Sequence, residues 1–523
     1  MSELEKFITV DPIGGMHQGN SGKVQNLLNG EWTDPTRFRE DIPDPLTGEC
    51  FLKISDTTDF SDFIRNLDAC PKSGMHNPFK NVERYLMLGE LCAKASTLLR
   101  DKQIEDYFCH LIQRVIPKSK KQCLGEVIVT RAFLENFSGD NVRFLARSFS
   151  NPGDHLGQES SGYRWPFGSV CVIAPFNFPL EIPVLQVLGA LFMGNRPLVK
   201  VDSKVSVVFE QFLRLLIYCG LPSTDLDFIN CKGEIMGALI RQSKDKLRLV
   251  QFTGSREVAE KIAIDSKGKI KIEDAGFDWK IIGPDYDSKW AEYVAWQCDE
   301  DAYNASGQKC SAQSLLFIHK NWEKDLIPRL RKLALKRKLE DLTIGPVLTW
   351  NNSQLLDHIN TLLKIPGAEC LFGGKELTNH SIPPVYGAMQ PTAIKIPINE
   401  LLGKNFNNIT KEIFGPFQII IVYEDNDLPI VKETLEQISQ NLTAAIVSND
   451  IFFQQDLLAN TVNGTTYTGM RARTTGAPQN HWFGPGGDPR SAGIGTPEAI
   501  INTWSYHREI VKDTGPISNN SQS

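Results

Sequence analysis

The sequence lacks any apolar run long enough to cross a membrane. None of its uninterrupted apolar stretches approaches the roughly 20 residues that a spanning helix requires. Its first residues form neither a hydrophobic signal segment nor the Arg-rich, acid-poor pattern of an organelle transit peptide. We therefore expect no membrane partner, and either a cytosolic location or a presequence that this chain does not include.

Regularly spaced cysteines are also missing. The 11 cysteines form no Cys-x-x-Cys pair and have no histidines at metal-ligand spacing, which argues against a zinc site or a disulfide framework. We expect no metal, a reducing compartment, and cysteines that are mostly buried as reduced, small apolar side chains. The net charge of −6 comes without a basic stripe, so no nucleic-acid partner is predicted.

What the sequence contains is the pattern of a globular α/β protein. Its 523 residues are 41% hydrophobic and 23% charged, and this length allows about two to four domains. Short apolar strands alternate with helices from about residue 170 to 275 and again from 279 to 459. This alternation predicts two tandem, doubly wound α/β domains, which bind ligands beyond the carboxyl ends of their parallel strands.

The flanking segments carry weaker patterns. Residues 1–80 are predicted to be irregular, and cover helices are predicted at 85–99, 106–116 and 130–148. Residues 150–165 indicate an extended hairpin or arm, 464–495 a loop, 499–504 a short strand and 518–523 a frayed end. The helix at 130–148 should bury one face, formed by Phe133, Phe137, Val142, Phe144 and Leu145.

One thiol, Cys310, lies in a small, polar stretch at 304–313. Gly307 lets the backbone there approach a ligand closely, and Lys309 adds positive potential beside the sulfur. A cysteine nucleophile needs a reachable, thiolate-prone sulfur, so Cys310 is the candidate among the 11. The stretch alone does not establish this role.

Two segments after predicted strands offer polar groups. Asn177 lies in Pro-Phe-Asn-Phe-Pro at 175–179, where its amide could donate to an oxyanion or simply satisfy loop carbonyls. Phe-Thr-Gly-Ser at 252–255 opens a helix, where Ser255 could help to hold a pyrophosphate or act as an ordinary N-cap. The usual Gly-x-Gly-x-x-Gly dinucleotide motif does not follow any strand.

Two acids are candidates for further roles. Glu273 ends the last strand of the first α/β region, where it could be a general base or merely a solvated acid. Glu412, in Glu-Ile-Phe-Gly-Pro at 412–416, could accept hydrogen bonds from sugar hydroxyls or be a surface acid before a turn.

Together with Lys200, these segments in this order resemble the aldehyde dehydrogenase superfamily over about residues 80–510. Within it, the chain is most similar to the plant branch of delta-1-pyrroline-5-carboxylate dehydrogenases. That similarity lies in Gly-Tyr-Arg-Trp-Pro at 162–166, Ile-Glu-Asp-Ala-Gly-Phe-Asp-Trp at 272–279, Gly-Gln-Lys-Cys-Ser-Ala-Gln at 307–313 and Thr-Thr-Gly-Ala-Pro-Gln-Asn-His-Trp at 474–482.

The resemblance implies an organisation for the whole chain. It predicts an NAD-binding domain of residues 1–149 and 167–275, a catalytic domain of residues 276–474, and a β oligomerisation arm of residues 150–166 and 496–510. It further implies a homodimer or homotetramer in the mitochondrial matrix.

The resemblance also implies a reaction: NAD-dependent oxidation of L-glutamate 5-semialdehyde, the open form of 1-pyrroline-5-carboxylate, to glutamate in proline catabolism. Cys310 would attack the aldehyde, the Asn177 amide and the Cys310 N–H would hold the oxyanion, and Glu273 would activate the water that hydrolyses the thioester. The cofactor-binding residues implied are Phe176, Lys200, Ser203, Gly254, Ser255, Glu412 and Phe414.

Substrate contacts are implied for Ser311, Gly476 and Ala477, which are similar to the family's carboxylate-binding residues, although Ser311 could be only a helix-start hydroxyl. Many family members have glutamate where this chain has Ser203, so NAD and NADP both stay open as the cofactor. Three alternatives also stay open: a dehydrogenase for another semialdehyde such as succinic, an acylating enzyme that uses coenzyme A, and a non-catalytic scaffold. The presence of Cys310, Asn177 and Glu273 argues against the scaffold, and Glu273 as a water base argues against the acylating enzyme.

Overall fold

The computed structural model of the chain describes residues 2–34, 37–274, 276–476 and 481–515. The strands of these parts, in chain order, are β1 (Gly22–Val24), β2 (Asn26–Leu28), β3 (Glu31–Thr33), β4 (Phe38–Arg39), β5 (Leu52–Ser55), β6 (Phe149–Pro152), β7 (Gln158–Pro166), β8 (Ser169–Ala174), β9 (Arg196–Val201), β10 (Asp227–Phe228), β11 (Leu249–Thr253), β12 (Ile270–Glu273), β13 (Asp278–Ile282), β14 (Gln313–His319), β15 (Glu369–Phe372), β16 (Thr392–Lys395), β17 (Phe417–Tyr423), β18 (Thr443–Val447), β19 (Thr465–Thr468) and β20 (Ser505–Asp513).

The α-helices, numbered in the same way, are α1 (Ser61–Ala69), α2 (Glu83–Leu98), α3 (Lys102–Val115), α4 (Lys120–Asn136), α5 (Asn141–Phe144), α6 (Glu181–Phe192), α7 (Ser206–Tyr218), α8 (Gly233–Ser243), α9 (Arg256–Asp265), α10 (Ala291–Tyr303), α11 (Lys320–Ala334), α12 (Asn352–Leu362), α13 (Phe406–Ile409), α14 (Leu428–Gln437), α15 (Ile451–Ala459) and α16 (Pro497–Trp504). Short 3-10 turns lie at Leu4–Lys6, Ser223–Asp225, Ser288–Trp290, Asn304–Gly307, Ile398–Glu400 and Asp425–Asp427.

The first α/β region forms a seven-stranded sheet with the order β12-β11-β8-β9-β10-β2-β3. The five strands from β12 to β10 are parallel, and β2 and β3 join antiparallel at one edge. Parallel strands buried on both faces are continuously apolar, and β8 and β11 accordingly have every residue buried. Separate apolar clusters cover the two faces of this sheet.

The second α/β region repeats this arrangement in the order β15-β16-β17-β14-β13-β18-β19. All its pairings are parallel except that of β15 with β16. Two further apolar clusters pack on its opposite faces. The expected fold class, two tandem doubly wound α/β sheets, is therefore confirmed, while the exact domain bounds stay a prediction.

The predicted arm at 150–165 is present as β6 and β7, which pair antiparallel with β20 in a small separate sheet. The predicted strand at 499–504 was wrong: this segment belongs to α16, and the strand begins at Ser505. The Thr496 hydroxyl accepts a hydrogen bond from the Ala499 N–H at 3.1 Å, and Pro497 occupies the first turn, so the segment carries the usual start signals of a helix.

Three other expectations need correction. Residues 1–80 contain five short strands and α1 rather than irregular chain. The helix predicted over 130–148 ends at Asn136, because Gly139 takes a left-handed conformation and donates to the Gly89 carbonyl; Phe144 beyond it is 60% exposed. The predicted loop at 464–495 begins with β19, an edge strand of the second sheet. The predicted frayed end at 518–523 lies outside the described residues.

Membrane-spanning helices and paired cysteines were both expected to be lacking. In the parts of the chain that the structure describes, no helix is both long and apolar enough to cross a membrane. All 11 cysteines are free thiols, and seven of them are buried while Cys50, Cys70, Cys310 and Cys370 are partly accessible.

Candidate active site

Four adjacent strands of the first sheet end at one edge and present the predicted polar residues there. The 174–179 loop follows β8, Lys200 lies near the end of β9, Ser255 follows β11, and Glu273 ends β12. The carboxyl ends of neighbouring parallel strands meet at one edge, so residues up to about 100 positions apart become neighbours. The sequence motifs found separately therefore belong to one site.

The loop that carries Cys310 has an unusual backbone. Ala305, Ser306 and Gly307 all have positive φ, between 54° and 69°. A Cβ atom on Gly307 would lie 2.0 Å from the Gly415 carbonyl oxygen, so glycine is required both by conformation and by this close approach. Two successive non-glycine residues in the left-handed region indicate strain that the surrounding packing must hold.

Hydrogen bonds to the following segment hold this loop in place. The Gly345 N–H donates to the Ser306 hydroxyl at 2.7 Å, and the Gln308 amide donates to the Pro346 carbonyl at 2.9 Å. Behind the thiol, Gly276 packs so closely that a Cβ there would lie 1.8 Å from the Cys310 carbonyl oxygen. The position of Cys310 is thus fixed by its own loop and by the segment that follows Glu273.

Two cavities meet at Cys310. The larger cleft, about 850 Å³, is lined by Phe176, Asn177, Lys200, Gly254, Ser255, Glu412 and Phe414 among others. The smaller cavity, about 480 Å³, is lined by Lys118, Glu181, Trp296, Ser311, Arg337 and Gly476 among others. Both share Cys310, Glu273 and Ile182 as lining residues. A thiol and a carboxylate therefore lie where ligands in the two cavities would meet.

Cys310 is partly accessible, and Glu273 beside it is buried. Burial raises the pKa of Glu273 to about 7; the interaction with the Cys310 thiol opposes this rise, and the charge of nearby Asp274 adds to it. Burial first, and then the negative charge of Glu273, raise the pKa of Cys310 well above its usual range. The thiol therefore stays protonated at neutral pH unless Glu273 accepts its proton.

In the larger cleft, the aromatic rings of Phe176 and Phe414 meet edge to face with centroids 5.9 Å apart. Burial raises the pKa of Glu412 to about 8, and the charge of Glu273 adds to the effect. Ser255 occupies the N-cap of α9, but its side chain makes no capping hydrogen bond, so it leaves the first N–H groups of α9 without this partner. These features fit an anionic ligand with sugar hydroxyls.

Ser203 is the one predicted cofactor residue that does not line the larger cleft. The cleft wall contains Lys200 and Asp202 instead. The Ser203 hydroxyl accepts a hydrogen bond from Arg39 of β4 at 3.4 Å. The sequence comparison at position 203 could not anticipate this partner, because β4 lies more than 160 residues earlier in the chain.

The smaller cavity is lined by Ser311 and Gly476, and Ala477 lies outside the described residues. Lys309 lines it as well. Its ammonium donates to the Glu300 carbonyl at 3.4 Å, and burial lowers its pKa to about 8, while the charges of Asp301, Glu300 and Cys310 oppose this shift.

A buried ion pair behind the Asn177 loop was not found from the sequence. Lys118, 1% exposed, lies 2.7 Å from the Glu126 carboxylate and donates to the Asn177 carbonyl at 3.3 Å. The other Glu126 oxygen accepts the N–H groups of Leu180 and Glu181. Lys118 and Glu126 therefore hold both ends of the segment that carries Asn177. Nothing near positions 118 and 126 signals this role, because the partner segment is more than 50 residues away.

Comparison with known proteins agrees with this site. A model of the aldehyde dehydrogenase family matches residues 39–488. The chain belongs to the aldehyde dehydrogenase family, and it is an oxidoreductase that acts on aldehydes. It is 57% identical over 518 residues to the mitochondrial delta-1-pyrroline-5-carboxylate dehydrogenase of Arabidopsis thaliana, which covers 98% of this chain and 92% of that protein.

A further relative supports the family, and a solved structure supports the fold. A probable aldehyde dehydrogenase of Linum usitatissimum is 58% identical over 516 residues, covering 98% of this chain and 93% of that protein. The structure of 1-pyrroline-5-carboxylate dehydrogenase from Thermus with bound NAD has a TM-score of 0.79 at 20% identity, covering 94% of this chain and 93% of that one. That likeness supports the fold.

Lys118→Met is expected to destabilise the protein by about 3–5 kcal/mol, because it leaves the buried Glu126 carboxylate without its counter-charge. Differential scanning calorimetry should show a Tm several degrees lower, and the double variant K118M/E126Q should recover part of the loss.

Lys120→Met is the matched control. Lys120 is exposed and lies 3.4 Å from Asp106, so its replacement should change stability by no more than about 0.5 kcal/mol. A K118M variant as stable as K120M would refute the proposed role of the ion pair.

Proposed function

We propose that this chain oxidises L-glutamate 5-semialdehyde, the open form of 1-pyrroline-5-carboxylate, to L-glutamate with NAD, as the last step of proline catabolism. The observation that carries the proposal is that Cys310 and Glu273 lie together at the junction of two cavities. The 57% identity to the Arabidopsis enzyme supports the choice of substrate.

The residues of the site account for each step on the protein. Glu273 accepts the Cys310 proton, and the thiolate attacks the aldehyde carbon. The Asn177 side-chain amide and the Cys310 N–H stabilise the oxyanion of the thiohemiacetal. When bound, NAD accepts the hydride. After Glu273 has passed the first proton to solvent, it activates the water that hydrolyses the thioester and releases Cys310. A carboxyl with a pKa near 7 suits both proton transfers.

The larger cleft suits a dinucleotide in size and chemistry. Its volume of about 850 Å³ lies at the upper end for small-molecule sites. We assign the pyrophosphate to Ser255, Gly254 and the N-terminus of α9, the adenosine ribose to Lys200, and the nicotinamide ribose to Glu412, with Phe414 beside it and Phe176 packed on Phe414.

The smaller cavity would take the substrate's amino-acid end. Ser311 and the Gly476 backbone offer hydroxyl and N–H donors of the kind that bind a carboxylate. Thr474, just before this backbone, donates to the Asp301 carboxylate at 2.9 Å, and Asp301 pairs with buried Lys280 at 2.6 Å. The segment that begins at Thr474 is therefore attached to β13 of the second sheet through Asp301 and Lys280.

For the whole protein, we propose a homodimer or homotetramer in the mitochondrial matrix. The name of the Arabidopsis relative supports the compartment. The small sheet of β6, β7 and β20 supports the assembly, because three strands without a core of their own expose Phe149, Leu156 and Val511.

The substrate is tested by steady-state rates on a panel of aldehydes, each with NAD and with NADP. We expect the highest kcat/KM for glutamate semialdehyde with NAD, and the acid as product without coenzyme A. A higher kcat/KM for succinic semialdehyde would contradict the assignment, and a need for coenzyme A would contradict the hydrolytic role of Glu273.

The pKa of Glu273 predicts how the rate depends on pH. Because the carboxylate is the active base, kcat/KM should rise as pH increases through about 7 and fall below it. Glu273→Gln should abolish this pH dependence. It should release at most one NADH per site, slowly, and then stop, because the thioester is no longer hydrolysed.

Cys310→Ala is the comparison for this experiment. It should give no burst, because no thioester can form, while the fold and NADH binding persist. Full turnover by E273Q, or a burst from C310A, would contradict the assigned roles.

Sedimentation velocity tests the assembly. The wild-type chain should sediment as a dimer or tetramer, and Val511→Asp on β20 should shift it toward smaller species, because a charge replaces an exposed apolar side chain on the arm. Ile264→Asp, at an even more exposed position on α9, is the control and should leave the distribution unchanged. A monomeric wild type would refute the proposal.

A further inference from the structure

We infer that Glu181 binds the α-ammonium group of the substrate and thereby selects an amino-acid aldehyde over plain semialdehydes. This inference rests on the proposed function, because it assumes that the substrate carries both an α-carboxylate and an α-ammonium. It adds a second recognition element, of opposite sign, to the donors at Ser311 and Gly476.

The charges that line the smaller cavity single out this residue. Four glutamates contribute to its wall. Glu126 is engaged by Lys118 and by two backbone N–H groups, Glu300 is engaged by Arg337, and Glu273 lies beside Cys310, where we assign it as the base. Within the described parts of the chain, the Glu181 side chain has neither a hydrogen bond nor a salt bridge. It is therefore the carboxylate that is left for a ligand.

The position of Glu181 is fixed on the substrate side. It is the first residue of α6, four residues after Asn177, and its N–H is held by Glu126 at 3.2 Å. Its side chain lines the smaller cavity and not the larger cleft, whereas the next residue, Ile182, lines both. A cation bound to Glu181 would consequently lie on the opposite side of Cys310 from the dinucleotide.

The electrostatics favour a cationic ligand. Burial raises the pKa of Glu181 to about 8, the charge of Glu126 raises it further, and Lys118 opposes them. A carboxylate in such surroundings gains from an approaching ammonium group, which restores its negative form and makes a charge-assisted hydrogen bond. Four cations line the same cavity. Lys118 and Arg337 pair with Glu126, Asp299 and Glu300, Lys309 donates to the Glu300 carbonyl, and within the described residues no salt bridge joins Lys121 to Glu181.

The test compares glutamate semialdehyde with 5-oxopentanoate, which has the same carbon chain and carboxylate but no amino group. Glu181→Gln keeps the size and removes the charge. We expect kcat/KM for glutamate semialdehyde to fall about tenfold or more, mainly through KM, while kcat/KM for 5-oxopentanoate stays the same or rises. The wild type and E181Q receive the same mixture of open and cyclic glutamate semialdehyde, so the cyclisation equilibrium cancels when their kcat/KM values are compared.

Inhibition by the products provides a second readout. L-Glutamate should inhibit E181Q more weakly than the wild type, whereas glutarate should inhibit both alike. Glu300→Gln, a glutamate of the same cavity that Arg337 engages, should leave the ratio between the two aldehydes at its wild-type value.

Activity on 5-oxopentanoate in the same preparation shows that the variant is folded and binds its cofactor. If kcat/KM of E181Q fell equally on both aldehydes, or if its preference stayed at the wild-type value, the role of Glu181 would be overturned while the proposed function would stand. A wild-type chain that oxidises 5-oxopentanoate but not glutamate semialdehyde would overturn the proposed function together with this inference.

Discussion

The placement of the Cys310 thiol beside the Glu273 carboxylate, where the two cavities meet, is the arrangement on which the site depends. Its two partners come from the two α/β regions: Glu273 ends β12 of the first sheet, and Cys310 precedes β14 of the second. Burial disfavours the ionised form of each group, so the thiol becomes a nucleophile only when the neighbouring carboxylate can take its proton. The two sheets must therefore be held at a fixed separation for either group to be useful.

Close backbone packing provides that fixed separation. Gly276 contacts the Cys310 carbonyl, and Gly307 contacts the Gly415 carbonyl, at distances that leave no room for a Cβ atom. The left-handed conformation of residues 305–307 would be costly in isolation, and hydrogen bonds from the 345–348 segment stabilise it. On the first sheet, the Lys118–Glu126 pair has the corresponding role for the Asn177 loop. Each reacting group is thus held by contacts distant from it in sequence.

The separation of these contacts along the chain explains which features could be predicted from the sequence and which could not. Strands such as β8 and β18 have short, continuous apolar patterns, and the segments around Asn177, Ser255, Glu273 and Cys310 are local motifs, so both were found. The Lys118–Glu126 pair, the Arg39–Ser203 hydrogen bond and the meeting of two cavities arise only after folding, and no local pattern encodes them. The segment at 499–504 was mistaken for a strand because a short apolar run fits either element when its Thr-Pro start is overlooked.

The acids of the site also show why position, rather than residue type, decides function. Glu181, Glu273 and Glu412 are chemically identical, and burial raises the pKa of each to about 7 or 8. They differ in what they face: Glu412 the larger cleft, Glu181 the smaller cavity, and Glu273 both. After burial, the charge of Glu273 adds to the rise in pKa of both Glu181 and Glu412, so ionised carboxylates at these positions repel one another. Ligands that bring a positive charge or hydroxyl donors relieve it, so the site becomes electrostatically satisfied when both cavities are filled and Glu273 is left as the base between them.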